Sequence, residues 1–418
     1  MPIPLYLDAA RMGLMTPSAQ LALRDFVRFA GETCCTLYFE HFWKDGAVSW
    51  DRALHARFPG LQIWRGIAEL KDQLRKAAGA EAKCPLYIAG RSASLVNRAI
   101  RALFQKCRRV LVSDLTWPAY ARIIRHAAAT SGRHIARVSI RNAILACKAS
   151  SEEIFDKIVR HFCNFGCDGA FLPEVSHDGI RLPISILAEA IRERSPKAMI
   201  VIDGAQSFAH IPIERSLPAS DCYIMGCHKW LGTHLPMGIA FCPRVTTSSD
   251  IGRNLDESTD PLLEFVNSLE SRSQKRFGET VNLTPLLACR GALADFGDVT
   301  REFAIRRGNA RLVCGHTGSL WSHMLPQEAF RTGIILMRVL GLDLGADKLR
   351  STFGSNGVTL SAYVGGTIRL SMPKQLMSHK DLDLLAKAVR AVGAHARSLP
   401  ATTDIVHESC YDPACQNA

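Results

Sequence analysis

Short apolar runs alternate with amphipathic stretches along the chain from about residue 84 onward. The apolar runs lie at residues 86–89, 110–113, 135–140, 170–172, 199–202, 222–225 and 238–242. Helical spacing of apolar residues marks the stretches between them, at 95–104, 120–126 and 186–191. A further helix is predicted to begin after Ser150, because Glu153 follows at the spacing of a capping box. This alternation predicts an α/β fold in which helices cover both faces of a mostly parallel, seven-stranded sheet.

The end of this alternation divides the chain into parts. Residues 245–280 are polar and irregular, which predicts a loop-rich connection near the site, and a helix is expected at about 283–296. We therefore predict an N-terminal arm over residues 1–30, a large domain over 31–280, a smaller α+β domain over 281–400 and a tail over 401–418.

The composition is that of an ordinary soluble globular protein, with 418 residues, 47% hydrophobic and 22% charged. No apolar run reaches the roughly 18 residues of a spanning helix, and the first residues do not resemble a secretory signal. A cytoplasmic protein without a membrane partner is therefore expected. The net charge of +12 comes from scattered basic residues, which favours anionic cofactors or substrates over specific nucleic-acid binding.

The 14 cysteines are expected to be free thiols in a reducing compartment. Several lie in or beside apolar segments, where a free cysteine behaves as a small hydrophobic residue: Cys147, Cys222, Cys227, Cys242 and Cys289. His161, Cys163 and Cys167 could suggest a zinc site, but a second matching pair of ligands is missing from the pattern. No metal site is predicted.

The candidate chemistry lies after two of the apolar runs. Asp203 closes the run at 199–202 and Gln206 follows three residues later, while His228 and Lys229 come after the run at 222–225. A lysine in such a turn can form an imine with an aldehyde. An aspartate at a buried strand end can keep the nitrogen of a pyridine ring protonated. Together these residues predict a pyridoxal 5′-phosphate site, with Lys229 as the Schiff-base lysine and Asp203 as the partner of the ring nitrogen.

The segment Asp203-Gly-Ala-Gln206, followed by His228-Lys-Trp and then Gly238-Ile-Ala, resembles the class V aminotransferase family of fold-type I enzymes. This family includes cysteine desulfurases, kynureninases and isopenicillin N epimerases. The resemblance runs from Leu5 to about residue 395 and is sharp only around 90–94, 203–206 and 228–229. It implies a homodimer with shared active sites.

The cofactor's phosphate is expected at the start of the helix that follows the run at 86–89, where backbone N–H groups are free. The resemblance implies that Ser92 and the amide of Ala93 bind this phosphate together with His228. It also implies that Trp117 stacks on the pyridine ring and that Gln206 reaches the ring hydroxyl oxygen.

Further roles are implied by resemblance at three more positions. Thr280 matches a threonine that reaches the phosphate of the neighbouring subunit, although Glu279 stands where the family usually has glycine. Arg369 resembles the arginine that clamps the α-carboxylate of the substrate. His177 stands where many members have asparagine, which suggests an additional proton donor or substrate contact. Gly226 stands where members often have a serine that binds the phosphate.

The motifs leave the reaction open, because one site can run transamination, elimination, epimerisation or decarboxylation of an amino acid. An aminotransferase is the expected function. A lyase, epimerase or decarboxylase is the alternative, and a non-catalytic relative or a nucleic-acid binder is a remote one. Residues 349–360 contain no cysteine, which counts against the persulfide transfer of a cysteine desulfurase.

Overall fold

A computed structural model describes residues 5–33, 40–244, 251–254, 259–270, 280–316, 321–339 and 345–397 of the chain. Its strands are β1 (Leu5–Tyr6), β2 (Leu86–Ala89), β3 (Arg109–Ser113), β4 (His134–Val138), β5 (Gly169–Pro173), β6 (Met199–Asp203), β7 (Cys222–Gly226), β8 (Gly238–Phe241), β9 (Trp321–His323), β10 (Ile334–Val339), β11 (Val358–Thr359), β12 (Ser361–Tyr363) and β13 (Thr367–Ser371). Its helices are α1 (Pro17–Thr33), α2 (Glu40–Asp45), α3 (Arg52–Arg57), α4 (Ile67–Ala78), α5 (Ser92–Lys106), α6 (Pro118–Ser131), α7 (Arg141–Leu145), α8 (Ser151–Asn164), α9 (Ile184–Arg194), α10 (Pro261–Glu270), α11 (Thr284–Ala294), α12 (Val299–His316), α13 (Ala346–Ser355) and α14 (His379–Arg397).

Within the described residues, β2 to β8 form a seven-stranded sheet in the order β2-β8-β7-β6-β5-β3-β4. Neighbouring strands from β7 to β4 are parallel, and β8 is antiparallel to both β7 and β2. The strands β5, β6 and β7 are buried along their whole length, as expected for a sheet that is covered on both faces. The predicted α/β fold with a mostly parallel sheet is confirmed.

The carboxyl ends of β5, β6 and β7 bring the candidate residues to one edge of the sheet. Pro173 pairs with Asp203 in register, and Asp203 pairs with Ile224, so the segments that follow these strands begin side by side. The start of α5 reaches the same edge because β2 pairs with β8. Gly238 of β8 permits this, since a Cβ there would lie 2.5 Å from the backbone nitrogen of Ser92.

A second, smaller sheet has the order β12-β13-β10-β9 among the described residues and is antiparallel. Arg369 lies in β13, opposite Ser361 of β12 and Leu336 of β10. The N-terminal segment joins this sheet, because the Ser371 backbone nitrogen donates to the Leu7 carbonyl at 2.7 Å. The segment around residues 5–10 therefore connects the second sheet to the site. The predicted domain boundaries at residues 30, 280 and 400 stay a prediction.

Three local features can be compared with the sequence predictions. The capping box of α8 is present, with both the Ser150 and the Glu153 hydrogen bonds. The prediction of a loop over 245–280 is wrong for residues 261–270, which form α10 and bury Phe265 against Trp43. The apolar setting predicted for Cys147 is also wrong, because the side chain is exposed. The residue sits in a turn with a φ of 51°.

The predicted arm contains α1, which packs against α11. The predicted tail at 401–418 lies outside the described residues. Among the helices that the structure describes, none has both the length and the apolar character needed to cross a membrane. The described residues also contain no group of His, Cys, Asp or Glu side chains arranged to hold a metal ion, including His161, Cys163 and Cys167.

Candidate active site

A cavity of about 520 Å³ opens at the carboxyl edge of the large sheet. Its walls include most of the residues that the sequence singled out: Ser92, Trp117, His177, Asp203, Gln206, His228, Lys229 and Arg369. Ala93 lies next to Ser92 in the first turn of α5. Thr280 is exposed and is not part of this wall. The structure thus brings residues from five strand ends and the second sheet around one space.

Lys229 lies in this cavity, in the turn that follows β7. The pKa of its amine is lowered from 10.5 to about 8, mainly because the group is buried; Asp203 acts in the opposite direction, and the charge of Arg369 contributes to the lowering. The N-terminal segment passes directly over the turn, with the Gly13 nitrogen donating to the His228 carbonyl at 2.7 Å. A Cβ at Gly13 would lie 1.9 Å from the Lys229 carbonyl oxygen, so only glycine permits this approach. The lysine is therefore held with a large fraction of neutral amine near pH 8.

Asp203 is buried at the end of β6, with an exposed fraction of 6%. One of its oxygens accepts a hydrogen bond from the Ala205 backbone nitrogen at 3.0 Å. Burial raises the pKa of this carboxyl, and both the Ala205 N–H and Lys229 counteract the rise. A positively charged partner in the cavity would stabilise the charged form of this buried carboxylate, whose pKa is raised.

Both the nitrogen and the oxygen of the Gln206 side-chain amide are hydrogen-bonded. Its Nε2 donates to the Ala10 carbonyl at 2.8 Å, and its Oε1 accepts from the Trp230 indole at 2.9 Å. One Nε2 hydrogen remains for a group in the cavity. Trp230 is itself stacked on His210, with 3.8 Å between the ring centroids. His210 Nε2 accepts from the Gly333 nitrogen at 3.0 Å, which links this loop to the second sheet.

The first turn of α5 and His228 form a pocket of donors for an anion. Ser92 Oγ lies 2.9 Å from the Tyr120 hydroxyl, so one of these groups donates to the other. His228 Nδ1 is buried and has no hydrogen-bond partner among the described residues. Burial lowers the pKa of His228 to about 4, as does the charge of Lys229, so the ring is neutral at pH 7. A neutral imidazole N–H and the free N–H groups of a helix start can bind a phosphate.

Trp117 and His177 lie on another wall of the cavity. The Trp117 ring is 43% exposed, and its centroid lies 5.3 Å from that of His177 in an edge-on arrangement. Both ring nitrogens of His177 are shielded from solvent and lack a partner among the described residues. Burial lowers the pKa of His177 to about 4. The ring is therefore a neutral hydrogen-bonding group directed at whatever occupies the cavity.

Arg369 is buried on the side of the second sheet. Its Nη1 donates to the His177 carbonyl at 3.0 Å, and its Nη2 donates to Ser361 Oγ at 3.1 Å. The same Nη2 lies 3.5 Å from Asp8 Oδ1, and Nε has no partner among the described residues. These contacts hold the guanidinium plane in place and leave part of its donor set for a ligand. The sequence did not predict Asp8 and Ser361 as neighbours of Arg369, or Tyr120 as a neighbour of Ser92.

The donors around the cavity fit pyridoxal 5′-phosphate. A buried carboxylate faces the space beside a lysine, and unpartnered nitrogens of His228 and the helix start are available at another wall. The volume of about 520 Å³ also leaves room for a small substrate.

Comparison with known proteins agrees with this arrangement. Residues 39–242 match the family model described as "Aminotransferase class-V". No curated protein sequence matches the chain significantly.

Solved structures share the fold over nearly the whole chain. A cysteine desulfurase from Escherichia coli is 14% identical with a TM-score of 0.66, over 94% of this chain and 95% of that chain. A ureidoglycine–glyoxylate aminotransferase from Bacillus subtilis is 12% identical with a TM-score of 0.67, over 95% of each chain. An alanine–glyoxylate aminotransferase from Nostoc sp. is 15% identical with a TM-score of 0.65, over 94% and 96%. At such identities these likenesses establish the fold. Together with the match of residues 39–242 to the class V aminotransferase model, they confirm the resemblance seen in the sequence: the chain is a pyridoxal-phosphate-dependent enzyme that acts on amino acids.

Proposed function

We propose that this enzyme is an aminotransferase in which Lys229 binds the cofactor and then moves the substrate's proton. The observation that carries the proposal is the buried Lys229 amine, whose pKa is about 8, in the same cavity as Asp203 and Arg369. Transamination needs one base that removes a proton at one carbon and delivers it at another. His177 and His228 are weak bases, with pKa values of about 4, so Lys229 is the base that suits this task.

The residues around Lys229 have separate roles in this proposal. Asp203 faces the ring nitrogen, and Gln206 donates its free N–H to the ring oxygen. Ser92, the Ala93 amide and His228 hold the phosphate, and Trp117 covers one face of the ring. When bound, pyridoxal phosphate withdraws electrons from the carbon that loses the proton. Asp203 supports this by keeping the ring nitrogen protonated.

Arg369 is proposed to bind the α-carboxylate of the substrate through its remaining N–H groups. A guanidinium offers a planar fork that fixes a carboxylate in one orientation. Because the His177 carbonyl accepts a hydrogen bond from Arg369 and its ring lines the cavity, His177 is placed between the clamp and the reacting groups. The two residues together orient the bond that reacts, which lowers the entropy cost of reaching the reactive geometry.

Persulfide transfer is disfavoured by the composition of the site. Among the described residues that line the cavity, none is a cysteine. A desulfurase needs a thiolate that can reach the substrate sulfur, since only a thiolate attacks it.

We also propose that two copies of the chain form a homodimer with shared sites. Thr280 supports this, because it is exposed and lies outside the wall of its own cavity.

A cytoplasmic location is proposed as well. The described cysteines are free, including Cys227 and Cys289, whose sulfur atoms lie 3.6 Å apart without a bond. Thiols this close stay reduced in a reducing compartment.

A panel of amino acids tests the proposed reaction. Each amino acid is mixed with the holoenzyme without a keto acid, and the amount of pyridoxamine phosphate is measured by chromatography. We expect at least one amino acid to convert the cofactor stoichiometrically, and the matching 2-keto acid to restore it. Repeated release of a keto acid or sulfide without conversion of the cofactor would instead identify a lyase.

The lowered pKa of Lys229 predicts how cofactor capture depends on pH. Only the neutral amine attacks the aldehyde, so the capture rate of the apoenzyme should rise with pH, with a midpoint near 8. An ordinary lysine would give a midpoint near 10.5. Stopped-flow absorbance at a series of pH values measures this. Asp203→Asn removes a charge that raises the pKa of Lys229, so the midpoint of this variant should lie below that of the wild type. A midpoint near 10.5 in the wild type would contradict the prediction.

A further inference from the structure

The substrate side of the cavity carries more positive charge than one α-carboxylate needs. Among the described residues of the wall, the formally positive side chains are Arg11, Lys229 and Arg369, and Asp203 supplies the only carboxylate. Lys229 and Asp203 are committed to the cofactor in the proposed function. Two arginines therefore remain for the substrate.

Arg11 lies close to the Arg369 clamp. It follows Ala10 in the N-terminal segment, where its backbone nitrogen donates to the Asp8 carbonyl at 2.9 Å. Its charge lowers the pKa of both the Asp8 carboxyl and the Tyr6 hydroxyl, although burial keeps both values raised overall. The Arg11 side chain is exposed, so it stands at the open side of the wall and not in its floor.

Asp8 attracts Arg11 but is hydrogen-bonded to other groups. The Asp8 oxygen Oδ1 accepts from Ser361 Oγ at 2.6 Å and lies 3.5 Å from Arg369 Nη2. Asp8 is thus engaged with Ser361 and Arg369. Among the described residues, no ion pair involves the Arg11 guanidinium. The hydrogen bond that Arg11 makes to Asp8 comes from its backbone nitrogen. An arginine in a cavity wall without an acidic partner has the donor geometry to bind an anionic group of a ligand.

The remaining walls on this side are apolar. Ala362, Tyr363 and Val364 continue from the strand that holds Ser361, and Val364 is 57% exposed at the mouth. These walls suit the methylene groups of a short side chain that extends from Arg369 toward Arg11. A side chain of this kind that ends in an anion would satisfy both the walls and the guanidinium.

We propose that Arg11 binds a second anionic group of the substrate, so that the enzyme prefers amino acids with an acidic side chain. Arg369 takes the α-carboxylate and Arg11 takes the distal carboxylate. This inference rests on the proposed function for its kinetic test only, because the binding of a dicarboxylate needs no turnover.

The kinetic test compares acids with their amides. The ratio of kcat/KM for glutamate over glutamine, and for aspartate over asparagine, is measured in the wild type and in Arg11→Met. We expect the wild type to favour the acid and Arg11→Met to lose roughly 10- to 100-fold on the acid alone, the size of a charged hydrogen bond. Arg125→Met is the matched control, because Arg125 is exposed on α6 and lies outside the cavity wall. Arg369→Lys should lower kcat/KM for the acid and for its amide by a similar factor.

The binding test uses the holoenzyme without a reaction. Calorimetry compares glutarate with valerate, which has the same number of carbon atoms and one carboxylate fewer. We expect glutarate to bind at least roughly 10-fold more tightly to the wild type, and the two to bind alike to Arg11→Met.

The outcomes separate the two proposals. If amino acids convert the cofactor but Arg11→Met keeps the acid-to-amide ratio of the wild type, the inference is overturned and the proposed function stands. If no amino acid converts the cofactor, the proposed function fails, and the glutarate comparison then decides on Arg11 by itself. Equal binding of glutarate and valerate to the wild type would overturn the inference in either case.

Discussion

Lys229→Ala is expected to leave a folded protein that neither binds the cofactor covalently nor turns over amino acids. The loss should reach several orders of magnitude, because base catalysis alone contributes roughly 10²- to 10⁴-fold and the variant also loses the covalent attachment. Stability should change little, since the substitution removes an amine whose burial already disfavours its charged form. Steady-state kinetics and thermal unfolding measure the two effects.

Two controls make this result specific to the amine. Lys229→Arg keeps a positive charge near Asp203 but cannot form the imine, so it should be as inactive as the alanine variant. Methylamine supplied in the buffer can stand in for the missing base and should restore part of the activity of Lys229→Ala. Turnover by Lys229→Ala at more than a few per cent of the wild-type rate, without added amine, would contradict the assignment.

Asp203→Ala and Asp203→Asn are expected to lower kcat by about three orders of magnitude. A carboxylate 4 Å from a protonated ring nitrogen contributes about 4 kcal/mol at an effective dielectric constant near 20, and this attraction is lost in both variants. Asparagine keeps an oxygen that can accept from the Ala205 nitrogen, so the loop geometry should persist. A difference in kcat between Asp203→Asn and Asp203→Ala then reports the effect of the loop geometry and not that of the lost charge.

The absorbance of the bound cofactor gives a second view of Asp203. The ring nitrogen should lose its proton at a lower pH in Asp203→Asn than in the wild type, and a pH titration of the spectrum follows this directly. Covalent capture by Lys229 should persist in this variant. Near-normal turnover in Asp203→Asn would show that Asp203 does not hold the proton of the ring.

The large sheet could be predicted from the sequence because its central strands are covered on both faces. Such strands read as continuous apolar runs, and all seven predicted runs correspond to strands of the sheet. Residues that follow parallel strands meet at one edge, which is why Asp203 and Lys229 could be expected in one place. Helix α10 was missed although Leu262, Phe265, Val266 and Leu269 repeat at helical spacing. The polar segments on either side hid this short pattern.

The substrate side of the site could not be predicted in the same way. Asp8, Ser361 and Arg369 meet only because the N-terminal segment joins the second sheet, and Asp8 and Ser361 are 353 positions apart in the chain. No local spacing encodes such a contact. Tyr120 left a weak signal, since it lies in the first turn of α6, soon after Trp117. Position after a strand end marked the residues that we propose to hold the cofactor, whereas tertiary packing alone assembled the neighbours of Arg369.

The most direct test of the account is to locate the cofactor on the chain. The holoenzyme is reduced with borohydride, digested and mapped by mass spectrometry, with Lys71 as an internal reference for a buried lysine outside the cavity. We expect a single phosphopyridoxyl group on the peptide that contains Lys229, and none after the protein has been treated to remove the cofactor. A modified lysine at another position, or an unmodified Lys229 peptide in the fully loaded enzyme, would contradict the account.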